Sequence, residues 1–309
     1  MNTNAMNCRT LSFHGDETVK EESIARLAEA IVSSKVGEAL TPSAWMAGSS
    51  NDPTEVCGFS ASFTSVFDGA VANYEMAEWH VKDRSGTAKH FALELAKAIP
   101  VGIDLHPVVV DWFQLLLNDP VHGLARYISA GNAQDLYTRL DALHRAERNG
   151  TTVDTARWRQ LGRDVVAAVD ASKADGSTTL HVAALEAMES GVMPLSEIYS
   201  DLLLSLSHRL KNLALETSVP PRQFPEAEQA LLEIGERLAE ECGPAPAHDA
   251  PDRPEWMARA MSWYEAEKAK IGTRYPEFGY YDKVRSETTS ALAVSYADRF
   301  LALLRSSQA

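Results

Sequence analysis

Apolar positions recur every three to four residues through most of this chain, and short runs of proline, glycine, asparagine and aspartate interrupt them. That period gives each segment one apolar face and predicts a series of amphipathic α-helices. A first helix is expected to start near Asp16 or Thr18. Thr18 and Glu21 have capping-box spacing, and Ile24, Leu27, Ala28 and Ile31 follow at helical intervals. Phe91, Leu95 and Ile99 mark a helix that stops at Pro100. Pro107 suits the first turn of the next, whose face includes Val110, Phe113, Gln114 and Leu117. Asp119-Pro120 then predicts a cap and a further helix carrying Leu124, Tyr127 and Ile128.

The same grammar continues. Asn132 is expected to cap a helix with Leu136, Leu140 and Leu143 that ends at Asn149-Gly150, and Asp154 to precede one with Trp158, Leu161, Val165 and Val169. More helices are expected near 178–190, 194–217 and 225–242. Residues 243–254 are proline-rich and nearly free of large apolar side chains, which predicts an extended linker. Beyond it Trp256, Met257, Ala260, Met261 and Tyr264 form one helical stripe, and Leu292, Tyr296, Phe300 and Leu303 another. Between 37 and 83 the pattern degrades: Thr41-Pro42, the run from Gly48 to Pro53, and Asp68-Gly69 are turn chemistry, and 56–67 alternates poorly. The expected fold is therefore mainly α. It is a multi-helix bundle over 1–242 with a short irregular or partly β section near 37–83, a linker over 243–254, and a C-terminal helical arm over 255–309.

Composition narrows the partners. An apolar fraction of 45% supplies enough side chains for a sizeable core and argues against global disorder. The formal net charge of −14 disfavours nucleic acid and anionic membrane surfaces, and fits a protein partner with a basic surface. Cys8, Cys57 and Cys242 form no C-x-x-C pair, so reduced thiols are expected. With no apolar run of spanning length and no signal-like segment in residues 1–10, the expectation is a cytoplasmic protein outside the membrane.

Candidate chemistry is sparse. His14 and Asp16 flank Gly15 just ahead of the first helix, where they could ligate a metal or bind an anion, or where Asp16 could simply cap. His90, His106 and His122 lie on or beside consecutive helices, with Asp104, Asp111 and Asp119 nearby, but no metal-binding or acid–base spacing joins them. Cys57-Gly58, near Ser60 and Ser62, lacks a cationic neighbour in sequence and reads as a buried structural thiol. Thr179-Leu180-His181-Val182-Ala183 resembles an ankyrin signature but is not repeated. No phosphate-binding or nucleophile-elbow motif occurs. No cofactor and no metal are expected. Aromatic residues at Trp79, Trp256, Trp263 and Tyr264 suit a core or a recognition surface. The Tyr275 to Tyr281 run, lacking helical spacing, predicts a binding loop with Tyr275, Phe278, Tyr280 and Tyr281.

Phe13-His14-Gly15-Asp16, with Val19-Lys20, and the block from Ala98 to Leu105 leading to Leu116-Leu117-Asn118-Asp119-Pro120-Val121-His122-Gly123, resemble a group of uncharacterised bacterial and phage hypothetical proteins. The resemblance covers residues ~11–170 and brings no known activity. It departs from the group's pattern at Cys57, which stands without a second nearby cysteine. It implies that His14, Asp16, Asp104 and His122 meet in space, and it points to phage or defence biology. Two functions follow as expectations: a non-enzymatic protein-binding or regulatory protein with an acidic surface, or an enzyme using those four residues, with or without a metal.

Overall fold

Proline at the start and glycine at the end delimit the two shortest helices, and they do so inside the section expected to be irregular. The computed structural model describes residues 11–33, 41–48, 51–80, 87–247, 250 and 252–307. Within them, after α1 (Glu17–Ser33), come α2 (Pro42–Ala47) and α3 (Pro53–Cys57). Each begins on proline, whose missing N–H is no loss in a first turn, and each ends on a left-handed glycine, Gly48 (φ 91°) or Gly58 (φ 67°). The chain continues into α4 (Ala61–His80), which buries residues along most of its length. The partly β section is thus corrected: Pro42, Gly48, Pro53 and Gly58 start and stop helices, and among the described residues the one β-bridge pairs Leu11 with Asp104. Residues 37–40, 49–50 and 81–83 of that section lie outside the described residues, as do Cys8 and residues 248–249, 251 and 308–309.

Asp68-Gly69, read as a turn, sits inside α4. Asp68 takes hydrogen bonds from Ser43 N (2.9 Å) and Ser43 Oγ (2.5 Å), capping α2 from outside, and burial raises its pKa against those bonds. Gly69 lets α10 approach, since a Cβ there would come within 3.2 Å of Leu204.

The remaining helices are α5 (Thr87–Ala98), α6 (His106–Asn118), α7 (Asn132–Arg148), α8 (Thr155–Ala174), α9 (Thr179–Ser190), α10 (Ser200–Ser218), α11 (Pro225–Cys242), α12 (Arg253–Arg274) and α13 (Pro276–Ser306). The helix expected after Pro120 does not form. Asp119 Oδ1 accepts from Val121 N and His122 N (both 2.8 Å), and Gly123 N closes on Asp119 O at 2.8 Å. The chain leaves Gly123 extended and makes only a short 3-10 turn, Leu124–Tyr127.

One large core joins α1 through α10 to the second half of α13. Phe13 and Phe59, ahead of α4, and Phe63 and Phe67 on it meet ring to ring in sequence, edge-on except for the stacked Phe63–Phe67 pair, and Phe300 of α13 meets Phe63 at 6.1 Å between ring centroids. A second, smaller core lies between α11, α12 and the first turn of α13, built on Ala227, Ile234, Ile271 and Phe278. The 31-residue α13, roughly 45 Å long at 1.5 Å per residue, belongs to both. The expected arm therefore starts on the small core and ends inside the large one. The described part of the linker is tied back rather than extended: Arg253 NH1 donates to Pro246 O (2.8 Å) and Trp256 Nε1 to Gly243 O (3.0 Å). Among the described residues no helix is long and apolar enough to cross a membrane.

Candidate functional site

The segment Leu11 to Asp16 is threaded against the loop before α6. Ser12 makes four bonds there: its N–H donates to Ile103 O (2.9 Å) and its carbonyl accepts from Gly102 N (2.9 Å), while its hydroxyl donates to Pro100 O (2.6 Å) and accepts from Ile103 N (3.1 Å). This clamp holds Phe13 and His14 at φ 51° and 52°, a left-handed backbone that costs roughly 1–2 kcal/mol per residue. Fully burying the Phe13 ring against Phe59 offsets part of that strain. Gly58 must be glycine: a Cβ would stand 2.2 Å from Leu11 O.

The sequence-derived residues here have structural partners. His14 Nε2 donates to Glu55 O (2.9 Å), Asp16 Oδ1 accepts from Thr18 N (2.8 Å) at the start of α1, and Asp104 Oδ1 accepts from His106 N (2.9 Å) at the start of α6. The Leu11–Asp104 bridge and the His14–Glu55 bond bring His14, Asp16 and Asp104 into one junction. His122 does not join them. It follows the far end of the thirteen-residue α6, roughly 20 Å along the helix from Asp104. Among the described residues no group of three or more His, Cys, Asp or Glu side chains is placed to hold a metal ion.

At that far end His122 belongs to a different cluster. Asp119 Oδ2 pairs with Arg299 NH1 of α13 at 2.5 Å, and Tyr296 Oη donates to His122 O at 3.1 Å. Burial disfavours a charged Asp119, but the Arg299 pair and the N–H groups of His122 and Val121 outweigh it and hold the carboxyl below its ordinary value. Burial, followed by the nearby Arg299 charge, lowers the pKa of His122. These contacts fasten the turn after α6 to α13. Cys57 is a buried thiol beside Ser23 Oγ (3.6 Å), and burial raises its pKa, the opposite of what a nucleophile requires.

The aromatic run at 275–281 is not a loop. Tyr275 alone separates α12 from α13, Pro276 opens the helix, and Gly279 crosses Gly272 so closely that a Cβ on Gly279 would lie 2.8 Å from Gly272 O. Phe278 is 7% exposed and packs edge-on against Phe224 (5.6 Å), Tyr281 meets Phe224 at 5.3 Å, and Arg274 lies over the Tyr275 ring. Tyr280 points outward, 73% exposed. The missing helical spacing misled because a one-residue joint shifts the phase between two helices.

A further exposed surface lies on α11. Ala227, Leu231 and Ile234 face the small core, so Gln229, Leu232, Glu233, Glu236 and Glu240 face outward. Leu232 is 64% exposed. Glu226, Glu233, Glu236 and Glu240 form no ion pair with a described residue, whereas Glu241 pairs with Arg237 (3.1 Å). The adjacent pair Leu231-Leu232 was the available signal, since one helix face cannot bury both. Beside the N-terminal end of α11, Phe224, Pro225, Ala227 and Tyr275 line a recess of about 350 Å³. The chain matches no protein-family model, no curated protein and no solved structure.

Proposed function

We propose that this protein is a non-enzymatic binding protein that docks a partner with a basic surface on the outer face of α11. The observation that carries this reading is the exposed Leu232 set among glutamates that pair with no described residue. A large apolar side chain at 64% exposure offers a desolvation anchor, and the surrounding Glu233, Glu236 and Glu240 favour cationic residues at the rim. The neighbouring recess at Phe224 and Tyr275 extends the apolar part of this surface. His14, Asp16 and Asp104 support the same reading, since each is hydrogen-bonded to backbone in a structural role.

Proximity labelling in the source cell with the full chain, set against Leu232→Asp and a triple Glu233→Lys, Glu236→Lys, Glu240→Lys variant, tests it. Both variants should lose partners that the parent labels, and those partners should carry basic surfaces. An identical labelled set for parent and variants would remove α11 from the function.

A further inference from the structure

A cleft of about 490 Å³ opens between the first turn of α6, the end of α7 and the turn at Leu195–Glu197, a volume in the range of small-ligand sites. Val110 and Leu195 give it an apolar wall. Two charged side chains of opposite sign, Asp111 and Arg148, line it, both on exposed residues. They do not meet each other, and neither pairs with any other described residue. Glu147 also lines the cleft but is engaged: its Oε2 accepts from Leu195 N (2.6 Å) and its Oε1 from Trp158 Nε1 (3.3 Å). That carboxylate holds the wall in place. Thr151, Thr152, Ser196 and His106 complete the polar lining.

Charge selects the occupant. A simple anion would face Asp111 and Glu147, and a simple cation would face Arg148, so either meets like charge somewhere in the cleft. A molecule carrying both signs at separate ends meets neither penalty, and an apolar body between those ends would cover Val110 and Leu195. We propose that this cleft binds a small zwitterion of the amino-acid or short-peptide class, with its carboxylate toward Arg148 and its ammonium toward Asp111.

The test uses the full chain and three probes: leucylleucine, its N-acetyl form, which lacks the ammonium, and its C-terminal amide, which lacks the carboxylate. Calorimetry should show leucylleucine binding about tenfold or more tighter than either blocked form, the scale of one lost charge-assisted contact. Arg148→Met should abolish discrimination between the dipeptide and its amide, and Asp111→Asn that between the dipeptide and its acetylated form. Both substitutions replace exposed groups, and far-ultraviolet circular dichroism confirms that the variants are folded. No heat with leucylleucine at millimolar concentration overturns the proposal. So does equal or better binding of a blocked form, or unchanged discrimination in the two variants. The α11 variants should bind leucylleucine as the parent does, which keeps this outcome separate from that of the partner surface.

Discussion

Around α4 the chain covers its helices from several directions, whereas around α11 it covers them from one. α4 touches α5, α10 and α13, and its phenylalanines lie in an aromatic row that starts at Phe13 and ends at Phe300. α11 packs chiefly on α12 over a core of four buried residues, and the rest of its circumference faces solvent. The difference teaches where function can reside. In the large region the polar groups of the distinctive motifs are drawn into caps and clamps. In the small one, an acidic face with an exposed leucine has no partner among the described residues.

The largest effect expected from breaking this contrast is Phe300→Ala, at about 3–5 kcal/mol, because the ring is 1% exposed and meets both Phe63 and Trp112. Denaturant unfolding should shift as a whole. Phe278→Ala in the small core should instead speed amide exchange in α11 and α12 while leaving α4 protected. Equal loss of protection in both regions would show that they unfold as one unit.

Acid should act on the large region through His144. This residue is 1% exposed, its Nε2 donates to Met193 O (3.0 Å), and its ring lies between Phe113 and Trp158. Burial pulls its pKa from 6.5 down to about 4. The unfolded chain therefore binds the proton more readily, so stability is complete above pH 6.5 and falls as pH drops from 6.5 toward 4. The expected loss is roughly 3 kcal/mol. Chemical denaturation across that range should show the slope, and His144→Leu should flatten it. Asp119, whose pKa is lowered, contributes its loss at more acidic pH.

A smaller effect is expected at the joint. Gly279→Ala forces a Cβ toward the backbone of Gly272 and should destabilise the α12–α13 crossing by about 1–3 kcal/mol. Exchange rates in α12 would report it. The smallest belongs to Leu232→Asp, expected to change stability by no more than about 0.5 kcal/mol while removing partner binding. A large drop in melting temperature would mean that Leu232 packs on something and is no docking residue.

Much of the architecture was legible because helix signals are local. Pro225 and Gly243 bracket α11, Asp154 Oδ1 caps α8 through Ala156 N (2.8 Å), and Leu136, Leu140 and Leu143 are buried on one face of α7. The section around α2 and α3 was misread because its prolines and glycines are the same residues that make loops. Only the burial of Met46 and Cys57 against neighbouring helices distinguishes the two. Of the four candidate site residues, His122 alone was misplaced, for another reason: the thirteen-residue α6 lies between Asp104 and His122 and carries His122 away from His14, Asp16 and Asp104.

By itself the sequence determined that the chain is helical and where most helices begin and end, because periodicity, caps and breakers act within a few residues. Tertiary structure alone decided that α13 enters the large core, that Tyr275 joins two helices where a loop over 275–281 was expected, and that Asp111 and Arg148 line one cleft without pairing to any described residue. Those outcomes depend on which faces meet across long separations in the chain. Helix packing sets such meetings, and local propensity carries no record of them.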